Sequence, residues 1–214
     1  MNLKHRYWFF KSALPYKFCD DLKKYASEKQ SNLGVIGGVL HKIRPGQKLK
    51  KKDLDMVKKK RKSNVVFVGE KWIYDQVYPY LDLANKNAGW NFHIDWAEDC
   101  QFTVYKKGQF YGWHRDTLDQ PYNNPAHLNH LGKIRKLSMT VSLSDPEEYE
   151  GGRLEFCYRE DSEPGSEPRY VECTEILPKG SIVVFPSNTW HRITPVTKGT
   201  RHSLVLWSLG HPFR

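Results

Sequence analysis

The chain has no apolar run approaching the roughly 18 residues that a membrane-crossing helix needs. No membrane association is therefore expected. The stretch from Met1 to Phe18 carries a short aromatic cluster at Tyr7 to Phe10, but it lacks the longer apolar region and small-residue cleavage site of a signal peptide. Cysteine is scarce: Cys19, Cys100, Cys157 and Cys173 form no C-x-x-C pair and no dense framework. That spacing excludes a structural zinc site of the usual kind and favours reduced thiols in a cytosol-like compartment. There is no internal repeat, and 160–168 is the one low-complexity stretch, read as a surface loop.

Aromatic residues, in contrast, make up 14% of the 214 residues. They sit mostly in short alternating runs, a texture that favours a β-rich core. The net charge of +10 is unevenly placed: residues 48–62 hold nine Lys or Arg and two Asp, so this run carries +7 of it. A solvated loop or helix face explains such a run, as does a contact for nucleic acid or an acidic partner. The run has no aromatics to stack on bases, which counts against nucleic acid.

Along the chain, Pro15 to Gln30 reads as a helix with Phe18, Leu22 and Tyr25 at helical spacing. Leu33 to Arg44 is glycine-rich and irregular, with a short strand expected at Gly38 to Ile43. Lys71 to Asn87 reads as a second helix, with an apolar stripe of Trp72, Val77, Tyr80, Leu81 and Ala84 that Pro79 should distort. From Cys100 onward the pattern becomes eight short strands: 101–105, 111–115, 137–143, 153–158, 170–175, 181–185, 190–194 and 202–208. The expected class is mainly β with N-terminal helices (α+β), closed into a jelly roll. One domain is expected over 1–214, in which 1–98 is a helical support and 99–210 the core.

Four positions carry the chemistry. His114 and Asp116 are two residues apart in a strand, so both side chains reach one face while Arg115 points away. Alone, an H-x-D pair is an ordinary strand-end pair. His191 follows 75 residues after Asp116, behind a turn and a buried strand, and alone it reads as a core histidine bonded to a backbone carbonyl. Two histidines and one carboxylate can hold one Fe(II) and leave the opposite face open. Arg201 alternates with Ser203, Val205 and Trp207 on one strand face. A guanidinium facing a β core needs an anion, either an internal carboxylate or a bound one. Tyr105, nine residues before His114, is placed to donate to the same anion, or simply to pack in the core. His127 and His130 form a rival pair without a third ligand at a matching spacing.

Taken together, 101–116, 135–146, 149–156 and 177–207 resemble the Fe(II)- and 2-oxoglutarate-dependent dioxygenases, prolyl 4-hydroxylase-like branch, in its bacterial and phage members. The resemblance implies a double-stranded β-helix (jelly roll) core and a catalytic triad of iron ligands at His114, Asp116 and His191. It implies that Arg201, helped by Tyr105, binds the distal carboxylate of 2-oxoglutarate, with Trp207 walling that pocket. Tyr111 and Trp113 would be substrate-side groove residues. Many relatives carry a second tyrosine on the strand at Leu137 to Leu143, where this chain offers only Thr140 and Ser142 as hydroxyls. Related halogenases replace the metal carboxylate with a small residue, so Asp116 favours hydroxylation. Related nucleic-acid demethylases show a second arginine where this chain has Trp207.

The implied function is hydroxylation of a C–H bond, foremost in a prolyl residue of a peptide or protein, with release of succinate and CO2. The implied cofactors are Fe(II) and 2-oxoglutarate, with ascorbate restoring Fe(II). The alternatives are the same chemistry on a free amino acid, another small molecule or a nucleic acid, and a non-enzymatic jelly-roll binding module. Residues 117–132 and 145–152 are the loops expected to close over substrate. The location expected is the cytoplasm, that of the host for a phage-encoded chain.

Overall fold

The computed structural model describes residues 3–36, 50–117, 120–158 and 167–213. Two antiparallel sheets face each other. The larger has the order β1 (Trp8–Phe10), β12 (Ile182–Pro186), β8 (Ile134–Ser142), β14 (Val196–Gly210), β6 (Cys100–Lys106), β4 (Asn64–Val68), β2 (Asn32–Leu33). Two short strands, β5 (Trp96–Ala97) and β9 (Tyr149–Gly151), also pair with β14. The smaller sheet runs β11 (Arg169–Glu172), β10 (Leu154–Tyr158), β13 (Trp190–Ile193), β7 (Phe110–His114), β3 (Arg61–Lys62). This is the double-stranded β-helix arrangement, mostly antiparallel sheet with few helices.

Strand alternation builds both cores. On β8 and β14, Leu137, Met139, Val141, Leu204 and Leu206 turn to the outer face of the large sheet. There they meet α1 (Tyr16–Ser27) through Phe18 and Leu22, and α3 (Lys71–Asn87) through Ile73, Val77 and Leu81. The second core lies between the sheets and centres on Phe156, with Tyr105, Leu154, Val183, Phe185 and Ile193. The inward faces of β6, β8 and β14 carry small polar residues instead: Gln101, Thr103, Thr140, Ser142 and Ser203 are all buried. A cavity forms here because these side chains are too small and too polar to fill the space with apolar packing.

Each of the eight expected strands has its counterpart. The one expected at 170–175 stops at Glu172 and continues as a 3-10 turn over Thr174–Ile176, and β14 is twice the expected length. Helix α3 runs unbroken through Pro79; the burial of Val77, Leu81 and Ala84 outweighs the one lost backbone bond. The partition at residue 98 differs from expectation: β1, β2, β3 and β4 all lie before it and belong to the two sheets. Residues 145–152 are not a free loop. A capping box between Asp145 and Glu148 starts a 3-10 turn, and β9 then pairs with β14. The basic run forms α2 (Lys51–Lys60), anchored by buried Val57 and then leading into β3. The strand expected at Gly38 to Ile43, and most of 160–168, fall outside the described residues.

Candidate active site

The β7–β13 ladder places His114 directly opposite His191. Their ring centroids are 4.1 Å apart. Asp116 lies just past the end of β7, where the backbone N–H groups of Asp116 and Thr117 both donate to the Ser187 carbonyl, at 2.9 and 3.0 Å. Ser187 is itself fixed, its N–H on the Lys136 carbonyl and its hydroxyl 2.9 Å from that of Ser138. The turn preceding β13 therefore sets the carboxylate against the two imidazoles. His114 Nε2 lies 3.6 Å from Asp116 Oδ1 and His191 Nε2 lies 3.5 Å from Asp116 Oδ2. Both gaps exceed a good hydrogen bond.

The far sides of both rings are committed. Nδ1 of His114 is 2.8 Å from the Gly112 carbonyl, and Nδ1 of His191 is 2.9 Å from the Thr189 carbonyl. A carbonyl can only accept, so each Nδ1 carries the proton and a neutral ring turns its Nε2 lone pair inward. Three electron-pair donors thus converge, with ligand atoms all within 4.8 Å of one another. The set fits a divalent cation of the Fe(II) class, bound on one face. Burial would raise the Asp116 carboxyl, but His191, His114 and Arg135 outweigh it and hold it well below the usual carboxylate range. Burial, with His114 beside it, pushes His191 down to about 4. Among the described residues this is the one cluster of three such donors. His127 and His130 stack at 5.7 Å in the turn region before β8, with no third ligand among the described residues.

The triad opens into a cavity between the sheets, lined also by Arg61, Gln101, Tyr105, Tyr111, Thr140, Arg201, Ser203 and Trp207. Arg201 is 3% exposed. It stands opposite Tyr105 in the β14–β6 ladder, its guanidinium carbon 5.6 Å from the Tyr105 ring centre. One side-chain N–H donates to Ser203 Oγ at 3.2 Å. No carboxylate of the described residues forms an ion pair with it, so the internal salt bridge weighed from the sequence is absent among them. Gly152, at φ +59, makes room for its stem, because a Cβ there would sit 3.0 Å from Arg201 Cδ. Burial raises the Tyr105 phenol, which therefore stays protonated as a donor. Trp207 is buried in the wall, its indole N–H without a partner among the described residues and its ring 3.9 Å from the Arg135 guanidinium. Arg135 is neutralised by a forked pair to Glu98 at 2.7 and 2.6 Å.

Tyr111 and Trp113 part company. The register His114↔His191 and Tyr111↔Ile193 sets three steps of β7 against two of β13, which is a β-bulge. The bulge returns Tyr111 to the same face as His114, and the two rings stack at 3.5 Å with an interplanar angle of 11°. Trp113 faces the other way, against the Arg192 guanidinium and Tyr170, and does not line the cavity. The family resemblance put both on the substrate side; the bulge separates them, and a one-residue bulge has no sequence signature here. The sequence reading also missed Arg61, Gln101, Leu154, Phe185 and Ile193 as lining residues. Gln101 was legible in principle, since it alternates with Thr103 and Tyr105. Arg61 was hidden among eight other cations of its run.

Comparison with known proteins agrees with this geometry. The sequence profile of the 2OG-Fe(II) oxygenase superfamily matches residues 100–209, a little over half of the chain. A PKHD-type hydroxylase of Teredinibacter turnerae is 33% identical over 107 residues, covering 50% of this chain and 41% of that protein. A PKHD-type hydroxylase of Prochlorococcus marinus is 38% identical over 106 residues, covering 50% and 39%. The matched part is thus about two-fifths of the length of these curated relatives. Among solved structures, a Pseudomonas putida prolyl-4-hydroxylase superposes with a TM-score of 0.59 at 18% identity, over 96% of this chain and 92% of that one. The viral collagen prolyl hydroxylase of Paramecium bursaria Chlorella virus-1 gives 0.59 at 19%, over 97% of both chains. These two share the fold. The chain belongs to the 2OG-Fe(II) oxygenase superfamily.

Proposed function

We propose that the chain is an Fe(II)- and 2-oxoglutarate-dependent hydroxylase whose substrate is a prolyl residue in a peptide or protein. The observation that carries this reading is one cavity holding both parts of the machinery: the inward lone pairs of His114, Asp116 and His191, and the buried Arg201, which has no carboxylate partner among the described residues. The prolyl substrate is supported by the prolyl hydroxylases among the structural neighbours and by the named hydroxylases among the relatives.

In this reading His114, Asp116 and His191 hold Fe(II). Bound there, the ion supplies O2 activation, coupling decarboxylation of 2-oxoglutarate to succinate and CO2 with hydroxylation of a C–H bond. The chain's own residues do the positioning. Arg201 offers its planar fork to the distal carboxylate of 2-oxoglutarate, and Tyr105 donates its phenol proton to the same group. Trp207 walls the pocket and keeps water from it. The carbonyls of Gly112 and Thr189 keep both Nε2 atoms unprotonated toward the ion. Tyr111 backs the His114 ring and faces the substrate side; Trp113 lies outside the cavity and touches only a substrate that extends over the small sheet. Residues 1–214 act as one catalytic unit, ascorbate serves to restore Fe(II), and the location is cytoplasmic. In support, no helix among the described residues is long and apolar enough to cross a membrane, and the cysteines are free. Nucleic acid is the less favoured partner.

The test is succinate formation from 2-oxoglutarate with Fe(II), with and without O2, for the parent and for His114→Ala, alongside a panel of proline-containing peptides. O2-dependent turnover that is stimulated by a peptide and vanishes in His114→Ala is expected. A chain that binds neither Fe(II) nor 2-oxoglutarate would sink the enzymatic reading and leave a binding module.

A further inference from the structure

Of the described cations in the basic run, Arg61 alone is taken inside the fold. It lies on β3 opposite Tyr111 and is 4% exposed. Its guanidinium is held on several sides. Nε donates to Ser63 Oγ at 2.8 Å, Nη1 donates to the Val35 carbonyl at 3.0 Å, and the guanidinium carbon lies 4.5 Å over the Tyr111 ring. A Cβ on Gly34 would come within 2.6 Å of Nε, so the backbone at 34 approaches as closely as only glycine permits. Nη2, however, is buried without a partner among the described residues. No carboxylate of the described residues pairs with this guanidinium. It lines the same cavity as the triad and Arg201.

A buried, rigidly held guanidinium with one free edge is a built anion site, since an uncompensated charge in such a place is costly. Arg201 is already assigned to 2-oxoglutarate, and the charges then decide what Arg61 takes. Two guanidiniums and a divalent ion face Asp116 and the 2-oxoglutarate dianion. One positive charge remains, and Arg61 carries it. A neutral carbonyl would satisfy the Nη2 hydrogen bond but leave that charge unpaired, whereas a dianionic phosphate would overshoot it. We infer that Arg61 is a specificity-determining residue that binds a carboxylate of the substrate, placing it beside Tyr111 and His114. This rests on the reading of the cavity as a 2-oxoglutarate site. The carboxylate can belong to a free amino or imino acid, to a peptide C-terminus or to an acidic side chain next to the reacting residue.

The test uses the full chain loaded with Mn(II) in place of Fe(II), which prevents turnover, and saturated with 2-oxoglutarate. Calorimetric titration then compares three matched pairs: L-proline with L-prolinamide, an acetylated peptide ending in proline with its amide, and acetylated peptide amides in which an internal proline precedes Asp or Asn. In at least one pair the carboxylate form should bind about tenfold tighter or better, as for a charge-assisted contact. The pair that shows it identifies the source. Arg61→Gln should reduce the preference to under twofold, while Arg61→Lys, which keeps the charge but not the fork, should retain part of it. Equal binding within every pair, or no binding at all, would overturn the inference on the parent protein alone, whatever the variants do. A preference that survives in Arg61→Gln would overturn it as well, and loss of 2-oxoglutarate binding in that variant would move Arg61 to the cosubstrate. A parent chain that binds neither Mn(II) nor 2-oxoglutarate fails the functional reading itself, an outcome distinct from normal cosubstrate binding without a carboxylate preference.

Discussion

At the residue scale, the site separates groups that make the metal face from groups that fill the space around it. His191→Ala removes a donor whose other nitrogen is already committed to the Thr189 carbonyl. Losing a hydrogen-bonded support of a ligand costs about 10–100-fold in metal affinity. Losing the ligand itself should exceed that, as read by Mn(II) titration followed by water-proton relaxation. Arg201→Met tests the other half. A charge-assisted pair contributes about 1.5–3 kcal/mol, so the dissociation constant of 2-oxoglutarate should rise about 10–100-fold while Mn(II) affinity stays within a few-fold. Equal 2-oxoglutarate affinity in parent and variant would remove Arg201 from the cosubstrate pocket. Arg201 was legible as a guanidinium on an inner strand face that needs an anion, whereas His191 alone reads as a core histidine and joined His114 and Asp116 through the family resemblance. Arg61 was not: burial of one cation among nine depends on where α2 ends and β3 begins, and charge counting is blind to that.

At the element scale, β14 carries function on one face and stability on the other. Arg201, Ser203, Val205 and Trp207 line the cavity, while Leu204 and Leu206 are buried against the helices. Leu206→Ala should therefore lower unfolding free energy by about 2–5 kcal/mol and leave 2-oxoglutarate affinity unchanged. Urea unfolding and cosubstrate titration on the same preparation check this, and a parallel loss of both properties would contradict the division of faces. This alternation was readable from 202–208 because a period of two survives in any regular strand. The β7 bulge was not readable, because it is a property of the pairing between β7 and β13 rather than of either segment. Its consequence is specific: without it Tyr111 would share a face with Trp113, outside the cavity, and His114 would lose the ring stacked on it. The N-terminal strands were missed for a related reason. Two-residue strands such as β2 and β3 are defined by their partners, β4 and β7, and carry no periodicity of their own.

At the scale of the whole molecule, the same burial that shapes the site makes the metal-free protein sensitive to acid. His191 and His202 are both pushed down to about 4, first of all by burial; His114 adds to this for His191, and Lys23 for His202. In the unfolded chain each has the ordinary histidine value of about 6.5. Between those values the unfolded chain binds protons that the folded one refuses, so stability rises with pH across that interval. Above about 6.5 neither state is protonated and no penalty exists; the penalty grows as pH falls toward about 4 and is complete below it. Asp116 acts in the same direction but lower, because its folded value lies below the ordinary carboxylate range and its contribution is lost only in stronger acid. The metal-free chain should lose on the order of 2–4 kcal/mol between pH 7 and pH 4.5, after discounting for the partly exposed His202. Urea midpoints at several pH values measure it. His202→Asn, which lies outside the metal cluster and touches Ser144, should flatten that slope without abolishing it. Saturating Mn(II) should steepen it instead, because an ion bound to neutral His191 stabilises only the folded state and must be displaced before the ring can take a proton. A slope indifferent to the ion would mean that His191 is not among its ligands, and the reading of the whole cavity would have to change with it.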